Sequence, residues 1–100
     1  MNQRELATAF ARGETSGNAS ALTIRGDAIY SYGTPMARKQ ENGTIAVNRN
    51  KYSVTTSKHQ SFIAGALAMA GYRDTGETLA VQSEGRYNDQ WQDAWEVWSW

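Results

Sequence analysis

The residues best equipped for chemistry stand together at Thr55-Thr56-Ser57-Lys58-His59-Gln60. Three hydroxyls, an ammonium group and the single imidazole of the chain fall within this run. Two chemistries follow. At the start of a helix, unpaired backbone N–H groups and the positive dipole end attract anions, so the hydroxyls and Lys58 would suit a phosphate. Alternatively, His59 could serve as general base for Ser57 or a threonine, an arrangement for acyl or phosphoryl transfer. Both patterns are incomplete. No glycine-rich loop precedes the cluster, so the phosphate-loop signature is absent. No carboxylate with characteristic spacing is present to orient the histidine. The stronger reading is a helix cap, with Ser57 at the N-cap and Gln60 completing a capping box. No residue is assigned a catalytic role, and the chain reads as non-enzymatic.

The element that must carry this cluster is Thr55–Gly71. Phe62, Ile63, Ala66, Leu67 and Ala70 recur at helical spacing, and Gly71 is placed to stop the helix. Ala64, Ala68 and Met69 make the opposite side apolar too, which predicts burial on more than one side.

Composition narrows the chemistry further. The 100 residues include no cysteine and one histidine. That rules out a disulfide framework, a thiolate zinc site, a cysteine nucleophile and a histidine-rich metal centre, so no metal or cofactor is expected. No apolar run reaches the ~20 residues that span a bilayer. MNQRELATAF lacks the basic and apolar regions of a secretory signal. The expectation is a cytoplasmic protein with no membrane contact, and the sequons at Asn18 and Asn42 carry no weight. The net charge is zero but unevenly spread, +4 over residues 1–60 and −4 over 61–100. Such polarity fits a basic face for a polyanion, an acidic face for a basic partner, or two halves that neutralise each other.

The length predicts one domain over residues 1–100. Asn2–Arg12 fits a short helix, with Leu6, Ala7 and Phe10 on one side, or an edge strand. Gly13–Ser20 is rich in small polar residues and reads as loop, leaving residues 1–20 a poorly defined segment. Leu22 and Ile24 alternate with Thr23 and Arg25, the mark of a strand. Gly26-Asp27 turns it into a second strand, Ala28–Tyr32. Thr34-Pro35 bends or bulges that strand, and Met36–Gln40 continues it. Asn42-Gly43 is the strongest turn, and Thr44–Asn50 forms a third strand with Ile45 and Val47 on one face. Thr78–Gln82 is a candidate fourth strand. From Asn88 the tail places Trp91, Ala94, Trp95 and Trp98 at helical spacing, predicting a C-terminal Trp-rich helix over residues 88–100. The expected fold is therefore two-layer α+β: an antiparallel sheet of three to four strands packed on one central helix, with that second helix at the end.

Three features suggest contact surfaces. Arg25-Gly26-Asp27 matches the integrin tripeptide, but the hairpin turn explains it. Arg38, Lys39, Arg49 and Lys51 bracket the Asn42-Gly43 turn beside Tyr30, Tyr32 and Tyr52; with Lys58 and His59 they would form an anion or nucleic-acid surface. The domain is not basic overall, which weighs against that use. Trp91, Trp95, Trp98 and Trp100, with Asp93 and Glu96, either close the core or present an acidic, aromatic anchor to a partner, homodimer included.

The runs AIYSYGTPMA, Ala28–Ala37, and YSVTTSKHQ, Tyr52–Gln60, resemble a group of small domains met in phage and prokaryotic genomes. Those pair a Tyr-Ser-Tyr-Gly-Thr strand with a Tyr-Ser-x-Thr-Thr-Ser-Lys-His-Gln helix start. The likeness covers about Leu22 to Ile63, leaves out the tryptophans and brings no known activity. It implies a phage or mobile-element context. Many small proteins of that context bind and block a host protein complex, CRISPR effectors included. The expected function is such an inhibitor, acting in the host cytoplasm; a nucleic-acid-binding module built on the basic hairpin is the alternative.

Overall fold

A computed structural model describes residues 1–50, 53–82 and 92–100. Helix α1, Gln3–Ala11, opens the fold. Asn2 caps it in a true capping box: the Asn2 side chain accepts from the Glu5 amide and the Glu5 side chain from the Asn2 amide. This helix comes true, with Leu6, Ala7 and Phe10 buried. Strands β1 (Ser16–Ala19), β2 (Leu22–Arg25), β3 (Ala28–Ser31), β4 (Thr34–Lys39) and β5 (Ile45–Val47) follow as an antiparallel meander. Helix α2, Val54–Met69, comes next, then β6 (Arg73–Gln82) and β7 (Gln92–Ser99).

Among the described residues seven strands share one sheet in the order β1-β2-β3-β4-β5-β7-β6, every pairing antiparallel. This overturns the expected three- to four-stranded sheet on one central helix. The molecule is mostly sheet, and both helices pack on it. The expected C-terminal Trp-rich helix is also corrected. Its described part is β7, which lies inside the sheet between β5 and β6, with Ile45, Ala46 and Val47 opposite Trp98, Val97 and Glu96. Alternate positions of Trp95-Glu96-Val97-Trp98 satisfy a strand as well as spacing 3 and 4 satisfies a helix, and aromatic and branched residues favour the strand. The proposed cap at Asn88 and Trp91 lie outside the described residues.

Three smaller corrections concern the strands. Gly13–Ser20 is not all loop, because Gly17 lets β1 lie beneath α1. Tyr32-Gly33 is a turn with both residues at positive φ, +51° and +81°. It divides the expected Ala28–Gln40 strand into β3 and β4, while the irregularity expected near Pro35 is present as a register shift opposite Ile29 and Tyr30. Tyr72–Gly76 reads as loop in the sequence, but residues 73–76 belong to β6.

The core lies between one sheet face and the helices. Leu6 and Phe10 of α1 and Ile63 and Leu67 of α2 meet Leu22, Ile24, Ile29, Ala37, Ile45 and Val47. Helix α2 begins at Val54, capped by Ser53, four residues before the expected cap at Ser57. Its buried positions, Thr56, His59, Gln60, Ile63 and Leu67, form one stripe at spacings 3, 1, 3 and 4. The opposite side, including Ser57, Ser61, Gly65, Ala68 and Met69, is exposed, so burial on more than one side is also corrected.

Candidate functional site

The five buried polar side chains among the described residues are Ser31, Asn48, Thr56, His59 and Gln60. They come from three places in the chain and gather into one knot. Ser31, the last residue of β3, faces α2 because it pairs with Leu22 across β2. Its Oγ shares a hydrogen bond of 2.6 Å with His59 Nδ1. One helical position on, Gln60 Nε2 donates to the carbonyls of Asn48 at 2.8 Å and Asn50 at 2.9 Å. Asn48 Nδ2 donates to the Pro35 carbonyl at 2.9 Å, and Asn48 Oδ1 accepts from the Asn50 amide at 3.0 Å. Ser53 Oγ accepts from the Thr56 amide at 3.1 Å and closes the helix start.

Each bond has a structural task. Past β5 the backbone leaves the ladder, and its carbonyls need donors once buried. Gln60 supplies two. Asn48 ties that same segment to β4. The Ser31–His59 bond joins helix to sheet and gives each of these two buried polar groups its partner. Tyr32 covers the knot, its ring centroid 5.9 Å from that of His59 at a tilt of 32°. Its backbone sits in the left-handed region that side chains other than Asn and Asp avoid.

This geometry is not that of a working acyl-transfer centre. Ser57, the nucleophile weighed from sequence, is exposed and separate from the buried His59. Ser31 and His59 are each 1% exposed, and no acidic side chain bonds the ring among the described residues. Burial holds the His59 pKa below its ordinary 6.5 and so favours the neutral ring. The open groove of about 450 Å³ along the outer side of α1, lined by Arg4, Glu5, Thr8 and Arg12 among others, touches none of these residues. Among the described residues no group of three His, Asp or Glu could hold a metal ion, and no helix is long and apolar enough to cross a membrane.

The basic residues do not converge. Adjacent in β4, Arg38 and Lys39 point to opposite faces. Lys39 lies over the Phe10 ring at 4.7 Å on the helix side, where burial lowers its pKa against the raising pull of Asp27 and Glu14. Arg38 shares the other face with Arg25, in a row that register defines as Arg25–Ala28–Arg38–Ala46–Val97. Arg25 in turn stacks on Tyr30 at 4.9 Å. Arg49 pairs with Glu96 at 3.6 Å, Lys58 is on the exposed side of α2, and Lys51 lies outside the described residues.

The tryptophans divide. Trp95 is 2% exposed, and its Nε1 has no hydrogen-bond partner among the described residues. Trp98 packs partly buried against the core and donates to Glu96 at 3.2 Å. Trp100 is 80% exposed and leans edge-on against Tyr72, centroids 5.4 Å apart, beside Gly71 at the end of α2. Met69, in the last turn of that helix, is 92% exposed. Trp91 lies outside the described residues, and Asp93 takes its place in the β6–β7 register opposite Val81. Sequence reasoning missed Ser31 and Asn48. The one signal, for Ser31 and not for Asn48, was that the two motifs of the resemblance hold Ser31 and the helix residues it meets.

A family model described as a family of unknown function, DUF8033, matches residues 4–79. That stretch holds both helices, β1 to β5, the whole knot and the first seven residues of β6, and it stops before β7. Comparison with curated proteins and with solved structures brings no match.

Proposed function

We propose, for a chain that belongs to the DUF8033 family of unknown function, a non-enzymatic role in binding another protein. The observation that carries this reading is the division of labour between inside and outside. The residues capable of chemistry are spent on the polar knot, whereas Trp100 and Met69 stand in solvent at one end of α2. Large exposed aromatic and apolar side chains of this kind are the material of a binding hot spot. Within that class, the resemblance to phage and prokaryotic domains favours an inhibitor that occupies a host protein complex, a CRISPR-type effector included, in the host cytoplasm.

Affinity capture from a host lysate, run in parallel with Trp100→Ala, tests the reading. The expected result is a specific protein complex whose retention falls about tenfold or more in the variant. Retention indifferent to Trp100 would remove this surface from the proposal.

Nucleic-acid binding is the second reading. It is favoured by one arrangement, Arg25 stacked on Tyr30 with Arg38 in the same row on the face away from the helices. Its signature is an affinity for single strands that falls steeply with salt. Absence of binding to DNA and RNA at low salt would dismiss it.

A further inference from the structure

Among the described residues, strands β1 and β6 end the sheet, and only one of these edges is guarded. β1 is four residues long and lies under α1, so close that a Cβ on Gly17 would stand 2.6 Å from Leu6 Cδ1. β6 is ten residues long, and its side chains from Arg73 to Leu79 are exposed. Its first half carries its own protection. Between Asp74 and Thr78 the register shifts, Gly76 adopts φ +82°, Thr75 Oγ1 donates to the Val97 carbonyl and the Gly76 amide donates to Asp74 Oδ1. Such a bulge twists an edge away from would-be partners.

Among the described residues the second half has no such device. Thr78–Gln82 pairs residue for residue with Glu96–Gln92. It contains no charge, no proline and no bulge, the usual safeguards of an edge. The sequence Thr-Leu-Ala-Val-Gln is also symmetrical in character, with polar ends, branched apolar residues inside them and alanine at the centre. A two-fold contact requires a patch that complements itself. Antiparallel pairing about Ala80 puts Thr78 opposite Gln82, Leu79 opposite Val81 and Ala80 opposite its own copy. The charged residues of β6, Arg73, Asp74 and Glu77, fall outside the five paired positions, so this register sets no like charges face to face.

We infer that two copies of this chain join β6 to β6 across Ala80, in a continuous sheet of twice seven strands. The inference does not rest on the partner-binding reading, because the Tyr72–Trp100 contact lies at the other end of β6. Two such ends would project from opposite sides of the dimer.

Sedimentation of the full chain over a range of concentrations tests this, together with amide exchange at residues 78–82. The expected result is a dimer, with exchange at those amides slowing as concentration rises. Leu79→Lys brings two ammonium groups into neighbouring positions across the joint and weakens dimerisation about tenfold or more, with unfolding still cooperative. Should that variant fail to fold, Thr78→Lys at an already exposed position reads the same joint. Trp100→Ala leaves the dimer intact. A chain monomeric at every concentration, a dimer that the lysine variants leave untouched, or one that Trp100→Ala dissolves would each overturn the inference.

Discussion

Ser31→Ala isolates the contribution of the buried hydrogen bond at the centre of the knot. It removes one partner and leaves His59 Nδ1 buried and unmatched, a change that costs about 1–3 kcal/mol. Urea unfolding of the variant should show a lower midpoint at unchanged slope. The same ring sets a pH dependence. Burial lowers the folded pKa of His59 below 6.5, and the unfolded chain keeps the ordinary value. Between the two values the unfolded state binds the extra proton, so this contribution is complete above about pH 6.5 and is lost as pH falls through the folded pKa. Stability measured from about pH 7 down to pH 5 should therefore decline, and His59→Gln should flatten that part of the curve. A wild-type profile identical to that of the variant would show that the ring does not sense its burial.

At the level of elements, the helix start distinguishes two serines. Ser53→Ala removes the observed cap and should cost about 1 kcal/mol. Ser57→Ala touches an exposed position and should stay within about 0.5 kcal/mol. Equal effects would favour the cap expected from sequence. Gly17→Ala forces a methyl onto Leu6, which is held in the core, and should cost about 1–3 kcal/mol through overpacking. What the sequence made legible follows the same logic. α1, α2 and strands β2, β3 and β5 were readable because their apolar periodicity or turn residues act locally. β1 was not, because Ser-Gly-Asn-Ala earns its place only through the helix above it. The Tyr32-Gly33 turn was hidden by a tyrosine in a conformation that asparagine or glycine normally signals. The tail was misread because Trp91, Trp95 and Trp98 fit helical spacing, whereas the strand sends Trp95 and Trp98 to opposite faces, and only the open slot beside β5 decides between the two. Of the site, the helix-borne half was visible in Thr56, His59 and Gln60. Ser31 and Asn48 were not, since nothing local marks a strand serine or asparagine as the partner of a residue many positions away.

Over the whole molecule, Trp95 and Trp100 should behave as opposites. Trp95→Ala empties a buried site and should cost about 3–5 kcal/mol. Trp100→Ala should change stability by no more than about 0.5 kcal/mol and act instead on partner binding. Thermal unfolding of the two variants side by side checks this; similar losses would mean that the Tyr72–Trp100 contact belongs to the core. Strand order gives the molecule one more property. β7 is made after β6 and yet must slide in between β6 and β5, so neither neighbour has its final partner until residues 92–99 have left the ribosome. During synthesis, then, the meander and both helices can consolidate while β5 shows a bare flank and β6 waits alone, and the sheet closes only when β7 enters between them.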